Sequence, residues 1–171
     1  MLGAAGLGIS DTLDDVAADT GLDSTSAAAL VAMLDLTRAG SVQRLSQLIG
    51  ISHSGTVRLV NRLADAALVE RSAGPDARTV TVRLTRRGQT VARRIRTARR
   101  AALEATLRGL SEAHRRQLTT ICEILVANLT ESRLAARRAG GAPSGGALCR
   151  MCDPVACGRP DGDCPAARTA R

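Results

Sequence analysis

Apolar residues recur at helical spacing in the first part of the chain and predict three helices, over about 24–36, 42–49 and 53–66. Each helix follows a short polar residue suited to an N-cap: Asp23 or Ser24, Ser41 and Ser52. Gly50 ends the second helix just before the third begins. Two helices joined by a short glycine-containing turn are typical of a helix-turn-helix. Ahead of them, only about Leu13 to Ala18 is predicted to be helical.

The apolar positions then change from helical spacing to alternation. Residues 68–71 and 79–84 are predicted to be strands joined by a turn at Gly74-Pro75-Asp76, and such a hairpin directly after a helix-turn-helix is a wing. Two long helices follow, over about 86–108 and 112–131, with Thr85 and Ser111 as their predicted N-caps. The second of them carries an apolar stripe of Leu118, Ile121, Leu125 and Leu129. The predicted fold class is therefore mainly α with a small β-wing, a winged helix-turn-helix followed by long helices.

Charge is unevenly distributed along the chain. All 24 basic residues are arginine, and the formal net charge is +8. Residues 1–37 hold six aspartates and no arginine, whereas residues 38–100 hold fourteen arginines and three acids. A basic block within a foldable segment attracts a polyanion. Charge alone does not distinguish duplex DNA from RNA or an acidic membrane surface.

Some classes of protein are not favoured by the sequence. The N-terminus lacks the basic and apolar regions of a signal peptide, and no run of about 18 apolar residues is present, so we expect a cytoplasmic protein without a membrane partner. No nucleophile–base pairing, phosphate-binding loop or pair of carboxylates is evident, so we do not expect an enzyme. The chain has no Phe, Trp or Tyr, so its core has to be built from aliphatic side chains.

The third predicted helix has two distinct faces. The inward face holds Thr56, Leu59, Val60, Leu63 and Ala67. Thr56 is polar, and we expect its hydroxyl to bond the carbonyl four residues earlier. The candidate DNA contacts are Ser52, His53, Ser54, Val57, Arg58, Asn61 and Arg62. Ser54 suits a base edge, Val57 a thymine methyl and Arg58 a guanine or phosphate, whereas Arg62 suits a phosphate.

Two parts of this region resemble the MarR family. The family's recognition helix and first wing strand are similar to residues 51–63, Ile-Ser-His-Ser-Gly-Thr-Val-Arg-Leu-Val-Asn-Arg-Leu, and to Leu68-Val69-Glu70-Arg71. Its DxR and xLTxxG wing signature is similar to Asp76-Ala77-Arg78 followed by Val82-Arg83-Leu84-Thr85-Arg86-Arg87-Gly88. The resemblance covers roughly residues 24–131. It implies a homodimeric transcriptional regulator of double-stranded DNA, usually a repressor that releases its operator on receiving a signal.

The resemblance also implies roles for particular residues. Arg78 would enter the minor groove from the wing, and Asp76 would hold it by an ion pair. The long helices would form the dimer interface, and the dimer would bind a pseudo-palindromic operator. The family's effectors are often aromatic compounds, and the effector of this chain stays open. The expected division is a short extension (1–22), the DNA-binding domain (23–84), dimerisation helices (85–131), a linker (132–147) and a cysteine-rich tail (148–171).

The tail contains a compact cysteine motif. Cys149, Cys152, Cys157 and Cys164 are spaced C-x2-C-x4-C-x6-C. Four thiolates that converge can form a closed tetrahedral metal site, and the tail has little apolar surface with which to fold without one. Zinc and an iron–sulfur cluster both fit this spacing, and two disulfides or four free thiols are the alternatives. Cys122 is expected to be a small core residue, and His114 to be solvated.

The sequence therefore supports two hypotheses for function. The first is a sequence-specific regulator, with the cysteine tail as a redox or metal sensor or as a structural clamp. The alternative is a metal-cluster or electron-carrier protein that uses the helices only as a scaffold and binds no DNA selectively. Sequence-selective binding to DNA distinguishes the two.

Overall fold

The computed structural model describes residues 1–37, 39–73, 80–140, 145–154, 156–159, 161 and 163–170. In chain order the elements are α1 (Leu2–Ala18), α2 (Ser24–Asp35), β1 (Ala39–Ser41), α3 (Val42–Ile49), α4 (His53–Asp65), β2 (Val69–Ala73), β3 (Val80–Leu84), α5 (Arg86–Thr106), α6 (Glu112–Arg138), a 3-10 turn (Leu148–Met151) and α7 (Pro165–Thr169). This is the predicted class, mainly α with a small sheet beside a helix-turn-helix.

The beginnings of the helices follow the predicted caps. The side chain at each cap accepts a hydrogen bond from the backbone N–H three residues later, which satisfies one of the free donors of the first turn. The caps are Asp23, Ser41, Ser52, Thr85 and Ser111. Local sequence therefore determines where α2 to α6 begin.

An antiparallel sheet in the order β1-β3-β2 lies beside the helix-turn-helix. Val69 pairs with Leu84 and Ala73 with Val80, as expected for the wing hairpin. The sequence pattern did not predict β1, whose three residues pair with β3. Three residues are too few to show an alternation of apolar and polar positions. The strand β1 is therefore identified only by its pairing with β3, which is distant in the sequence.

The motif around Thr85 joins the sheet to α5. The Thr85 hydroxyl donates to the carbonyl oxygen of Ala67 over 2.8 Å and accepts from the Gly88 N–H over 2.9 Å. A Cβ at residue 88 would overlap the carbonyl oxygen of Leu68, so only glycine fits this close approach. Thr85 and Gly88 therefore hold the start of α5 against Ala67 and Leu68, the residues that follow α4.

The hydrophobic core is centred on α2, whose residues 26–33 are all buried. Around it pack apolar residues of α4, the sheet and α5, namely Leu59, Val60, Leu63, Val69, Val82, Leu84, Ala92 and Ile95. As expected from the lack of aromatics, the core consists of aliphatic side chains. Ala67 does not belong to it, contrary to the prediction, because it is exposed in the turn after α4 with φ 55°.

The predicted start of the first helix was wrong. The helix α1 spans Leu2–Ala18 rather than Leu13 to Ala18, so the segment 1–22 is largely helical. Three glycines within residues 3–8 lower the intrinsic helix propensity, which hid the helix from the sequence pattern. Its C-terminal end buries Val16 and Ala17, and the helix packs along α5.

The last long helix also exceeds its predicted length. It runs through Arg138, so the linker predicted for 132–147 begins inside α6, and that boundary was wrong. On the predicted stripe, Leu118 and Leu125 are half-buried, whereas Ile121 and Leu129 are about half exposed. Within the described ranges, no helix is both long and apolar enough to cross a membrane.

Candidate nucleic-acid interface and cysteine cavity

The turn between α3 and α4 is built by glycine and serine. Gly50 ends α3 in the left-handed conformation with φ 79°. Ser52 then caps α4 by accepting from the Gly55 N–H over 3.1 Å. The buried Thr56 hydroxyl donates to the Ser52 carbonyl oxygen over 2.9 Å, which confirms the predicted back-bond. These bonds fix the direction in which α4 leaves the turn.

The faces of α4 agree with the predicted division. Thr56, Leu59, Val60 and Leu63 are buried. Among the predicted contacts, the exposed side chains are those of Ser52, His53, Ser54, Arg58, Asn61 and Arg62, whereas Val57 is half-buried. The 13-residue helix α4 therefore has one polar face exposed to solvent and one mainly apolar face packed against the core.

Two of these side chains have partners on neighbouring elements. The Asn61 amide oxygen accepts a hydrogen bond from the guanidinium of Arg71 on β2. Arg62 lies 3.4 Å from the Asp23 carboxylate, with both side chains more than half exposed. Burial alone would raise the pKa of Asp23, but hydrogen bonds from Ser26 and the charge of Arg62 together lower it. An exposed ion pair contributes little to stability, so a phosphate can replace Asp23 as the partner of Arg62.

A groove separates α4 from the sheet and extends the candidate interface beyond the predicted residues. It is lined by Ser41, Val42, Gln43, His53, Val57, Arg71 and Val80. The sequence analysis assigned no role to Gln43 or Arg71, although Arg71 lies at a solvent-facing position of a predicted strand. Asp76 and Arg78, the predicted minor-groove pair, lie outside the described residues.

The tail docks on the helix-turn-helix. The Ala147 N–H donates to the Leu48 carbonyl oxygen over 2.9 Å, just before the turn of the motif. Gly50 and Gly146 meet backbone to backbone, so closely that a Cβ at either position would overlap the other segment. Arg133 of α6 donates to the carbonyl oxygen of Gly146. The tail is therefore in direct contact with both the end of α3 in the helix-turn-helix and the long helix α6.

All five cysteines line one cavity of about 530 Å³ between α6 and the tail. Cys122 is exposed and faces this cavity, so its prediction as a core residue was wrong. Burial, followed by the nearby thiols of Cys149, Cys157 and Cys164, raises the pKa of Cys152 to about 11. Within the described residues, no three His, Cys, Asp or Glu side chains are placed to bind a single metal ion.

Two arginines of α5 lie partly or fully within the fold. Arg96 donates to the Asp35 carboxylate over 2.7 Å. Arg99 is only 5% exposed, and its Nε and Nη1 have no hydrogen-bond partner among the described residues. Burial, followed by the charge of Arg150, lowers the pKa of Arg99. Arg99 lines a second cavity that it shares with Cys152 and Cys157.

Comparison with known proteins identifies this architecture. No protein-family model and no curated protein sequence matches the chain. A MarR family protein from Bacillus stearothermophilus matches with a TM-score of 0.68 and 20% identity, over 75% of this chain and 90% of that one. Apo MarR from E. coli matches with a TM-score of 0.64 and 14% identity, over 72% and 92%. Bordetella bronchiseptica BpsR, whose DNA binding is regulated by 6-hydroxynicotinic acid, matches with 0.57 and 20%, over 72% and 97%. The chain therefore has the winged helix-turn-helix fold of the MarR family.

Proposed function

We propose that this protein is a sequence-specific, DNA-binding transcriptional regulator that acts as a repressor. The observation that carries the proposal is the exposed polar face of α4, which is capped, rigidly seated and flanked by the arginine-bearing strand β2. The net charge of residues 38–100 favours a polyanionic partner. The regulated DNA binding stated for BpsR supports the same use of this fold.

The exposed side chains divide into base readers and backbone contacts. Ser54, Val57 and Arg58 lie in the first turns of α4, the part of a recognition helix that reaches base edges. Ser52, His53 and Asn61 extend this surface on either side. On binding DNA, Arg62 is proposed to replace its ion pair with Asp23 by one with a phosphate. Asp76 and Arg78 of the wing are proposed to contact the minor groove.

The regulator is proposed to act as a homodimer. Within the described structure, α6 has no buried residue, although it is 27 residues long. Ile121, Ile124 and Leu129 are each more than half exposed, and Leu2 and Leu7 of α1 are exposed as well. Apolar helix faces of this extent call for a partner helix. A two-fold dimer presents two copies of α4, which predicts a pseudo-palindromic operator.

The cysteine tail is proposed to bind zinc or an iron–sulfur cluster through Cys149, Cys152, Cys157 and Cys164. Their presence around one cavity supports the proposal. The contact between Gly146 and Gly50 links that site to the turn of the helix-turn-helix. Loss of the metal would loosen the tail and change the position of α4, which makes the tail a sensor as well as a clamp.

Fluorescence anisotropy on the DNA upstream of the protein's own gene tests this function. We expect that fragment to bind at least 10-fold more tightly than scrambled DNA of equal length. Arg58→Ala should weaken binding about 5- to 150-fold, because one well-placed arginine contributes about 1–3 kcal/mol of discrimination. Arg116→Ala, an exposed arginine of α6, is the matched control and should change little. In a run-off transcription assay, we expect the protein to lower the amount of transcript made from the bound fragment, as a repressor does.

The opposite result would favour the alternative function. Equal affinity for the upstream and scrambled fragments, unaffected by Arg58→Ala, contradicts a sequence-specific regulator. The cysteine cavity would then be the functional centre of a metal-cluster or electron-carrier protein, with the helices as its scaffold.

A further inference from the structure

A cavity lined by arginines lies where the tail, α3 and α6 meet. Its volume is about 620 Å³, which is in the range of small-molecule sites. The arginines come from three parts of the chain, namely Arg44 of α3, Arg133 and Arg137 of α6, and Arg159 of the tail. No acidic side chain is among the lining residues that the structure describes. The charge around this cavity therefore favours an anion.

The four arginines form no ion pair with a carboxylate in the part of the chain that the structure describes. Arg133 and Arg137 are four residues apart on one helix, where like charges repel each other. The charge of Arg133 also adds to the effect of burial in lowering the pKa of Arg150, which lies in the tail. An anion bound among these guanidinium groups would relieve their repulsion.

The remainder of the lining is mainly apolar. It is formed by Ala147, Leu134, Leu148, Ala166, Ala167 and Ala170. Guanidinium groups bind phosphate oxygens through pairs of N–H bonds. A phosphate monoester carries a charge of about −1.5 to −2 at neutral pH, which suits several arginines better than the single charge of a carboxylate. The lining therefore fits an organic phosphate, with its anionic group on the arginines and its apolar body on the leucines and alanines.

The same cavity adjoins the contact that docks the tail on α3. Gly146 and Ala147 line it, and the Ala147 N–H donates to the Leu48 carbonyl oxygen over 2.9 Å. Arg44 belongs to α3, whereas Arg159 belongs to the tail. A ligand that binds both arginines would bridge the two segments and stabilise the docked tail.

We propose that this cavity binds a small organic phosphate that fastens the tail to α3. The binding residues are Arg44, Arg133, Arg137 and Arg159. The inference depends neither on DNA binding nor on a metal in the tail. DNA offers the same phosphate chemistry, because the first helix of a helix-turn-helix crosses the DNA backbone. The apolar part of the lining favours the small molecule, and the two sources are tested separately.

Isothermal titration calorimetry of the full chain tests the ligand class with hexyl phosphate, inorganic phosphate and hexanol. We expect hexyl phosphate to bind at about one site per chain. Its affinity should be about 10-fold higher than that of inorganic phosphate, because part of its alkyl chain becomes buried. Hexanol should not bind, since it carries no charge. Equal affinities for hexyl phosphate and inorganic phosphate would overturn an organic ligand.

Two neighbouring arginines of α6 provide a matched pair of variants. Arg137→Gln should weaken the binding of hexyl phosphate about 10-fold or more, because it removes a charge-assisted hydrogen bond. Arg138→Gln changes the net charge equally, but Arg138 is exposed and does not line the cavity, so the affinity should stay the same. Equal affinities of the two variants would overturn the site. Arg44→Gln tests the same site from α3 and should weaken binding like Arg137→Gln.

Binding to a short DNA duplex, measured on the same variants, separates the two sources of phosphate. We expect Arg137→Gln and Arg138→Gln to bind the duplex with equal affinity. If hexyl phosphate does not bind the natural chain and Arg137→Gln alone weakens DNA binding, the cavity contacts the DNA backbone. That result would overturn the small-molecule site.

Amide hydrogen exchange tests the bridge between the tail and α3. Hexyl phosphate at about 10 times its Kd should slow exchange at the Ala147 N–H about 10-fold, because a ligand that binds only the docked tail stabilises the docked state. Amides in the middle of α2 should not change. Unchanged exchange at Ala147 in protein saturated with hexyl phosphate would overturn the bridge.

Discussion

Docking of the tail on the helix-turn-helix depends on a glycine at position 146. Its φ is +65°, and a Cβ there would stand 2.5 Å from both the Leu48 carbonyl oxygen and the Ile49 carbonyl carbon. Replacing it with alanine, Gly146→Ala, therefore imposes two costs. The left-handed backbone costs about 1–2 kcal/mol in a residue with a Cβ. The overlap with backbone that cannot move away adds about 1–3 kcal/mol.

A second glycine separates these two costs. Gly140 has a similar φ of +77°, but a Cβ there would meet nothing within 4 Å. The substitution Gly140→Ala therefore lowers stability only through the cost of the left-handed backbone conformation. The difference between the two variants, about 1–3 kcal/mol, isolates the contact with the end of α3. It corresponds to a 5- to 150-fold shift of the docking equilibrium toward the released tail.

Amide hydrogen exchange is the assay for this prediction. Docking should protect the Ala147 N–H, which donates to the Leu48 carbonyl oxygen. We expect amide exchange at Ala147 to be about 5- to 150-fold faster in Gly146→Ala than in Gly140→Ala, while amides in the middle of α2 stay protected. Equal exchange at Ala147 in the two variants would falsify the docking contact. Global loss of protection would mean that the change unfolds the domain, and Gly50→Ser would then test the same contact from the other side.

Four further outcomes are expected. Arg62→Ala should weaken binding to all DNA sequences alike and lower the slope of log affinity against log salt by about one unit, measured by anisotropy. Ile124→Glu should yield a monomer at concentrations where the natural chain sediments as a dimer, because it places a charge on the exposed apolar face of α6. Ser52→Ala should lower the free energy of unfolding in urea by about 1 kcal/mol, since it removes the cap of α4. For Asp35, burial raises the pKa more than Arg96 lowers it, so ionisation is harder in the folded state than in the unfolded one. Its contribution to stability is greatest at low pH and declines as the pH rises above about 4, and the stability difference between the natural chain and Asp35→Asn should fall over that range.

Much of the DNA-binding half could be predicted from the sequence because it is specified locally. An N-cap needs only its own side chain and an N–H three residues away, and Ser52 and Thr85 were both placed correctly. The inward and outward faces of α4 follow from the 3.6-residue period. Thr56 conflicted with this pattern, and the conflict was resolved by a bond to the carbonyl four residues earlier.

The first and last helices show where local signals mislead. Glycines at the start of α1 each cost about 1 kcal/mol in helix propensity, and that exposed first part of the helix makes no packing contact among the described residues that would offset it. Only the C-terminal end of α1 is buried, at Val16 and Ala17. The 3-residue strand β1 has no periodicity of its own and exists because β3 lies beside it, so there a tertiary contact decides the local conformation.

The helix-turn-helix, its caps, the wing hairpin and the four-cysteine motif could be predicted from the chain alone, because each depends on neighbours a few residues away. Packing of the whole fold is what brings Cys122 into one cavity with the tail cysteines, Gly146 against Gly50, and Arg99 into a cavity that Cys152 also lines. Gly50 and Gly146 are 96 residues apart in the chain, and Arg99 and Cys152 are 53 apart. No periodicity or spacing relates residues so distant, and they come together only when helices with unrelated local patterns pack around one core.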